Sequence, residues 1–192
     1  MPATPAIVAF AGSLRRGSWN KKLVRLGAET AREAGAEVTL LDLADYRVPV
    51  FDEDLERSEG MPENALRLRR EMERSDGLLL SSPEYNSSIP GILKNVIDWI
   101  SRPIADEPPQ MAFRGKVVAL LSASPGALGG LRGLIAVRAI LGHLGCIVLP
   151  DQMALPQADR AFSADEKLAD PKRQEQMARV VRAHVAFLQR LT

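Results

Sequence analysis

The sequence is poor in the residues that enzymes most often use for side-chain chemistry. Its 192 residues include one cysteine and two histidines, and aromatic residues make up 5% of the chain. One cysteine cannot form an internal disulfide, and no nucleophile and base form a convincing triad with either histidine. We therefore assign no catalytic side chain.

Long apolar runs and an excess of one charge are also absent. No run approaches the length of a membrane span, and no charged region followed by a hydrophobic stretch opens the chain. The 25 basic and 24 acidic residues nearly cancel, so charge gives no general reason to expect nucleic acid. We expect a cytoplasmic protein that binds neither a membrane nor nucleic acid.

A metal site is not predicted. Asp52, Asp54 and Glu56 with Glu63 imitate part of a calcium loop. Arg57 occupies the position that such a loop reserves for glycine.

What the sequence does contain is a series of short apolar runs separated by helical patterns. The runs have the length of strands: Ala6–Ala11, Val38–Leu41, Leu78–Leu80, Val117–Leu121 and Ile147–Leu149. Continuous apolar runs of this kind are typical of strands buried on both faces of a parallel sheet. They predict one α/β domain over residues 1–192, a doubly wound five-stranded parallel sheet between two layers of helices.

Further expectations concern the connections and helices. Residues 42–62 are expected to form an irregular surface excursion, and a helix is expected over 90–101 with Ser88 as its cap and Pro90 in its first turn. The apolar arc of that helix is broad enough to predict burial against a second subunit.

Two other helices carry further expectations. A set of arginines is expected on a solvated helix face: Arg67, Arg69, Arg70 and Arg74. The last helix is expected to reach Leu191.

The first strand-to-helix loop combines glycine, hydroxyl groups and cations. Ligands of doubly wound folds bind beyond the carboxyl ends of the strands, which points to the loops at 12–20, 81–90 and 122–130. Gly12 and Gly17 have P-loop spacing, but the Lys and Ser/Thr that should follow are absent. Cations are unfavourable at a helix N-terminus unless an anion offsets them, so a bound phosphate would explain this loop. The alternative is an exposed basic turn with Ser18 as N-cap.

The other two loops are suited to a planar ligand. The loop at 81–90 carries Tyr85 and two prolines, which could frame a heteroaromatic ring. The glycines of the loop at 122–130 permit close approach of the backbone to a ligand. The alternatives are an ordinary turn in the first case and a flexible connection in the second.

Four motifs then carry a resemblance to a known family: GSLRRGSWNKKL, SPEYNSSIPGILKNVIDWIS, SASPGALGG and LPQADRAF. With them the sequence closely resembles the NADPH-dependent FMN reductases, a family with a flavodoxin-like fold that includes bacterial quinone and chromate reductases. The resemblance implies noncovalent FMN, with its phosphate in the first loop and its ring against the second. The implied cofactor-binding set is Ser13, Arg15, Ser18, Trp19, Asn20, Pro83, Glu84, Tyr85, Asn86, Ser122, Ser124, Gly126 and Gly129.

The leading interpretation is an FMN-dependent NAD(P)H oxidoreductase. It would take a hydride from NADPH or NADH and pass electrons to quinones, flavins or similar small oxidants, with chromate and azo compounds as further candidates. The alternatives are a noncatalytic electron carrier of flavodoxin type and a phosphate-binding module without flavin. The resemblance also implies a homodimer or homotetramer.

Overall fold

The core of the fold is a five-stranded, all-parallel sheet with the strand order β2-β1-β3-β4-β5. The computed structural model describes residues 4–104, 107 and 110–191. The strands are β1 Ala6–Ala11, β2 Glu37–Leu41, β3 Gly77–Ser81, β4 Val117–Ala123 and β5 Ile147–Leu155. The α-helices are α1 Trp19–Glu33, α2 Glu53–Glu59, α3 Glu63–Glu73, α4 Gly91–Ile100, α5 Leu131–His143 and α6 Pro171–Leu188.

Two apolar layers cover the two faces of the sheet, as the uninterrupted hydrophobic runs predict. Helices α1 and α6 pack on one face, where Leu23 and Val181 meet Leu79 and Leu121. Helices α3, α4 and α5 pack on the other. The predicted flavodoxin-like, three-layer α/β/α architecture is therefore confirmed.

Strand β5 is longer than the apolar run that predicted it. It continues through Pro150, Asp151 and Gln152 to Leu155, with a register shift against β4. A sheet edge tolerates a proline and polar residues because one side of the strand has no neighbour to pair with. This extension brings the end of β5 to the side of the sheet formed by the carboxyl ends of the strands, where ligands are expected to bind.

The segment 42–62 is more ordered than predicted. It contains a short 3₁₀ helix, Leu43–Asp45, as well as α2. Its Phe51 ring meets the Trp99 ring edge-on at 5.0 Å, and the indole Nε1 of Trp99 donates to the Pro49 carbonyl at 2.9 Å. This segment therefore covers part of α4, and the prediction that the apolar arc of α4 needs a second subunit was wrong.

Three local expectations also fail. Arg69 is 1% exposed and pairs with Glu73 and Glu107, so it does not belong to a solvated face. Helix α4 is preceded by Pro90 at its N-cap, with no side-chain cap from Ser88. The last helix ends at Leu188, and Leu191 lies beyond it and is exposed.

Candidate functional site

A crevice of about 390 Å³ opens where the three sequence-selected loops meet at the carboxyl edge of the sheet. The first loop follows β1, the second follows β3 and the third follows β4. Its lining residues are Arg15, Ser18, Trp19, Asn20, Pro83, Glu84, Tyr85, Ala123, Ser124 and Pro125. Cavities that hold drug-sized ligands span roughly 300–1,000 Å³, so this volume suits an organic cofactor lying in an open cleft.

One end of the crevice is the open N-terminus of α1. Ser18 is the N-cap by position, but its side chain makes no capping bond, and the first turn contains no acidic residue. The helical bonding begins with the Lys22 N–H, which donates to the Ser18 carbonyl at 3.2 Å. Backbone N–H groups of a helix start that lack side-chain acceptors form an anion-binding position.

The cations around this helix start are not equivalent. Lys21 pairs with Asp42 at 2.6 Å, while Lys22 and Arg25 both pair with Glu166. The positive charges that looked unfavourable in the sequence are therefore largely offset by carboxylates from distant segments.

Arg15 is the exception beside the crevice. Its guanidinium carbon lies 4.9 Å from the centroid of the Trp19 ring, a cation–π contact. No carboxylate in the described ranges pairs with it. A planar guanidinium held on an indole face remains able to give a forked contact to a phosphate.

Ser13 and Asn20, two of the predicted phosphate ligands, have other partners. The buried Ser13 hydroxyl accepts from the Arg15 N–H at 3.3 Å and does not line the crevice. The Asn20 amide donates to the Ala123 carbonyl at 2.8 Å, and its oxygen accepts from Ser81 and from the Ala123 N–H. Asn20 thus fastens the start of α1 to the ends of β3 and β4.

The second loop forms a tight turn over the crevice. Tyr85 and Ser88 exchange two backbone hydrogen bonds of 3.0 Å across Asn86 and Ser87, both of which have positive φ. This left-handed conformation is rarely adopted by residues other than glycine and asparagine. The turn leaves the Tyr85 side chain 56% exposed at the rim, while Asn86 lies outside the lining.

Glu84 joins the second loop to α5. Its carboxylate accepts from the backbone N–H groups of Arg132 and Gly133 at 3.0 and 3.3 Å, and it pairs with the Arg132 guanidinium at 2.7 Å. The carboxylate therefore caps α5, whose N-cap position is a glycine with no side chain to do so.

The third loop uses its glycines differently from the prediction. A Cβ at Gly129 would lie 2.7 Å from backbone atoms at the end of β5, and a Cβ at Gly130 would lie 1.9 Å from the Ser122 hydroxyl. The Ser122 hydroxyl itself donates to the Ser82 carbonyl at 2.7 Å. These residues pack the loops against one another. Ser124 and Pro125 of this loop line the crevice, whereas Gly126 is exposed and lies outside the lining.

Two lining residues were missed by sequence reasoning. Ala123 and Pro125 add apolar surface to the crevice. Neither carries a chemical group that would distinguish it in the sequence. Their position after a buried strand was the available signal.

The remaining titratable candidates lie away from the crevice. His184 is fully buried, its Nε2 lies 3.0 Å from the Val117 carbonyl oxygen, and burial lowers its pKa to about 4. Burial raises the pKa of the Cys146 thiol to about 12, so this cysteine is a poor nucleophile. These surroundings make His184 a packed core residue and Cys146 an unreactive thiol.

The fold and the crevice together define a class of protein. At the carboxyl edge of a flavodoxin-like sheet, one crevice combines the uncapped start of α1 and the Arg15 cation with apolar surface from Trp19, Pro83, Tyr85 and Pro125. This is the arrangement of a protein that binds a phosphorylated planar cofactor.

Comparisons with known proteins identify the family. The family model for NADPH-dependent FMN reductase matches residues 5–160. A quinone reductase of Pseudomonas putida is 39% identical over 170 residues, which is 88% of this chain and 87% of the relative. An NAD(P)H-dependent FMN reductase of Pseudomonas aeruginosa is 33% identical over 96% of both chains.

The solved structures agree. A flavoenzyme NAD(P)H:(acceptor) oxidoreductase from Paracoccus denitrificans superposes with a TM-score of 0.82 at 30% identity, over 97% of this chain and 98% of that one. The chain belongs to the NADPH-dependent FMN reductase family. The predictions of FMN, of NAD(P)H as donor and of oxidoreductase activity are confirmed, and the noncatalytic carrier is not supported.

One further observation bears on the expected partners. Within residues 4–104, 107 and 110–191, no helix has the length and apolar character needed to cross a membrane.

Proposed function

We propose that the crevice holds FMN with its phosphate at the start of α1. The observation that carries the proposal is the uncapped N-terminus of α1 beside Arg15, a cation with no carboxylate partner among the described residues. The Ser18 hydroxyl lines the same end of the crevice and can donate to a phosphate oxygen. Trp19, Pro83, Tyr85 and Pro125 would then flank the ring.

The chain's own contribution is binding and positioning. FMN, when bound, supplies the hydride-accepting and electron-donating chemistry. Arg15 and the first-turn N–H groups orient the cofactor, and Asn20 keeps that turn fixed to β3 and β4. The one carboxylate in the described lining, Glu84, is engaged by Arg132 and the backbone at the start of α5, so we assign it to positioning and not to proton transfer.

We propose quinones and similar planar oxidants as acceptors. Two relatives that are 39% and 38% identical to this chain, over 170 and 144 aligned residues, are named quinone reductases. The crevice is open, and the exposed Tyr85 at its rim offers a stacking surface for a second planar molecule. One open crevice would admit the nicotinamide donor and the quinone in turn.

Steady-state kinetics test this function. The protein is loaded with FMN, and NAD(P)H oxidation is followed at several concentrations of 1,4-benzoquinone, with FMN-free protein as the control. Alternate use of one crevice predicts parallel double-reciprocal lines and no activity without FMN. Intersecting lines would refute alternate use, and failure to oxidise NAD(P)H with any quinone would refute the proposed acceptor class.

Self-association, implied by the family resemblance, finds support on α5 instead of α4. Leu131 and Ile135 lie one turn apart on α5 and are 38% and 61% exposed, and Leu128 in the loop before α5 is 50% exposed. We propose that this face contributes to a homodimer or homotetramer. Light scattering should give a multiple of the 20.9 kDa chain mass, and Ile135→Glu should lower it; a monomer for the unaltered protein would contradict the proposal.

A further inference from the structure

A second cavity lies next to the crevice, and the proposed function does not use it. It measures about 290 Å³ and is lined by the end of β5, the turn after it and the start of α6: Leu155, Pro156, Gln157, Arg160, Ala161, Ala169, Asp170 and Arg173. Most of this lining comes from the LPQADRAF motif. We call it the β5 cavity.

Backbone hydrogen bonds connect the β5 cavity to the crevice. The N–H of Ser124 donates to the Leu155 carbonyl, and the N–H of Ala158 donates to the Ser124 carbonyl, both at 3.1 Å. Ser124 lines the crevice, and Leu155 lines the β5 cavity. The two openings follow the neighbouring strands β4 and β5 and are joined by these hydrogen bonds, so they lie side by side at the same end of the sheet.

The β5 cavity carries unopposed positive charge. Across the described part of the chain, the Arg160 side chain has no hydrogen-bond or ion-pair partner, and Arg173 donates only to the neutral Gln176 amide at 3.2 Å. Other arginines of the chain, such as Arg69, Arg102 and Arg132, pair with carboxylates. Asp170 is the one carboxylate in the lining, and one of its oxygens already caps α6 by accepting from the Lys172 N–H.

The size and charge indicate the kind of ligand. The volume falls just below the roughly 300–1,000 Å³ that holds a drug-sized ligand, so it suits one part of a larger molecule. Two guanidinium groups are matched in geometry and charge to a phosphate monoester. NADPH differs from NADH by such a group, the 2′-phosphate on its adenosine ribose.

We propose that the β5 cavity binds the 2′-phosphate of NADPH and that Arg160 and Arg173 set the preference for this donor. The inference rests on the proposed function, because it requires the nicotinamide end of the donor to react in the neighbouring crevice.

Equilibrium binding tests the inference without relying on turnover. Adenosine 2′,5′-bisphosphate and adenosine 5′-monophosphate are titrated calorimetrically into the FMN-loaded protein at fixed salt. The bisphosphate should bind at least about tenfold more tightly, and the double variant R160A/R173A should lose that advantage. The control is Arg179→Ala, which removes an exposed arginine of α6 that does not line the cavity and should keep the advantage.

Steady-state kinetics provide a second test of the inference. The double variant should raise the KM for NADPH by about tenfold to a hundredfold, with kcat and the KM for NADH little changed. Equal binding of the two nucleotides by the unaltered protein, or an unchanged preference in the double variant, would overturn the inference. Equal losses for both nucleotides would also overturn it, since they would assign the arginines to a phosphate that both share. If FMN still binds and NADH is still oxidised, the proposed function survives that failure.

Discussion

Two helices, α1 and α5, begin at the same edge of the sheet, but only the N-terminus of α5 is capped by a side chain. The start of α5 is closed by the Glu84 carboxylate, which accepts from two of its backbone N–H groups. The start of α1 has no side-chain cap and no acidic residue in its first turn, and Arg15 beside it pairs with no carboxylate among the described residues. Both ends carry the same partial positive charge.

The difference separates a structural helix start from a binding one. At α5 the offsetting charge comes from the protein, and the result is a fixed junction between the second and third loops. At α1 no side chain of the described residues caps the helix. We infer that the missing cap is the feature that makes this end of the crevice a phosphate site.

Closing the N-terminus of α1 should have the largest effect. Ser18→Asp would place a carboxylate at the N-cap, where it satisfies the first turn and repels a phosphate. Because like charges in close contact cost several kcal/mol, FMN binding should weaken by more than about a hundredfold. Riboflavin, which lacks the phosphate, should bind nearly as before.

Ser18→Asn is the matched control for that variant. It supplies a capping oxygen of similar reach without a charge, so its loss of FMN affinity should be much smaller. Fluorescence titration of both flavins measures both variants. A similar loss of FMN affinity in Ser18→Asp and Ser18→Asn would show that charge at this helix end does not matter.

Removing the ligand-facing cation should have the next largest effect. A hydrogen bond to a charged group contributes about 1.5–3 kcal/mol, so Arg15→Ala should weaken FMN binding by about tenfold to a hundredfold. Riboflavin affinity should change little. Equal losses for the two flavins would mean that Arg15 supports the loop and not the phosphate.

Opening the N-terminus of α5 should affect stability and not flavin selectivity. Glu84→Ala removes the cap and leaves two N–H groups without their acceptor, which should lower the free energy of unfolding by about 1–2 kcal/mol. Urea denaturation measures that loss. The ratio of FMN to riboflavin affinity should stay constant, and a selective loss of FMN binding would erase the contrast between the two helices.

The smallest effect is expected at Arg16. It is exposed and does not line the crevice, although it neighbours Arg15 in the chain. Arg16→Ala should change FMN affinity by less than about twofold, since long-range charge effects are screened at physiological salt. A loss as large as that of Arg15→Ala would indicate that general positive charge, and not one placed contact, holds the phosphate.

The sequence was sufficient to predict the sheet and the three loops but not the tasks of individual polar groups. Apolar runs and turn residues are local signals, and they located all five strands. The partners of Asn20, Glu84 and Arg25 lie 103, 48 and 141 residues away along the chain. A local pattern contains no information on such pairs, so it did not predict that Asn20 and Glu84, which both line the crevice, also join distant segments of the chain.

The same limit explains the wrong predictions for the third loop and for α4. The glycines at 129 and 130 were read as space for a ligand, whereas their neighbours are β5 and Ser122 of the same chain. The apolar arc of α4 was read as a subunit contact because its cover, the segment 42–62, has no strong hydrophobic period. In both cases the missing information was which part of the chain lies opposite.

The most direct test of the proposed phosphate site is a backbone amide NMR titration of the FMN-free protein with FMN and, separately, with riboflavin. If the uncapped start of α1 holds the phosphate, the amide resonances of residues 18–21 should shift strongly with FMN and only slightly with riboflavin. The amides of residues 84–86, beside the proposed ring position, should shift with both flavins. Amides at the start of α1 that respond equally to the two flavins, or to neither, would contradict the account.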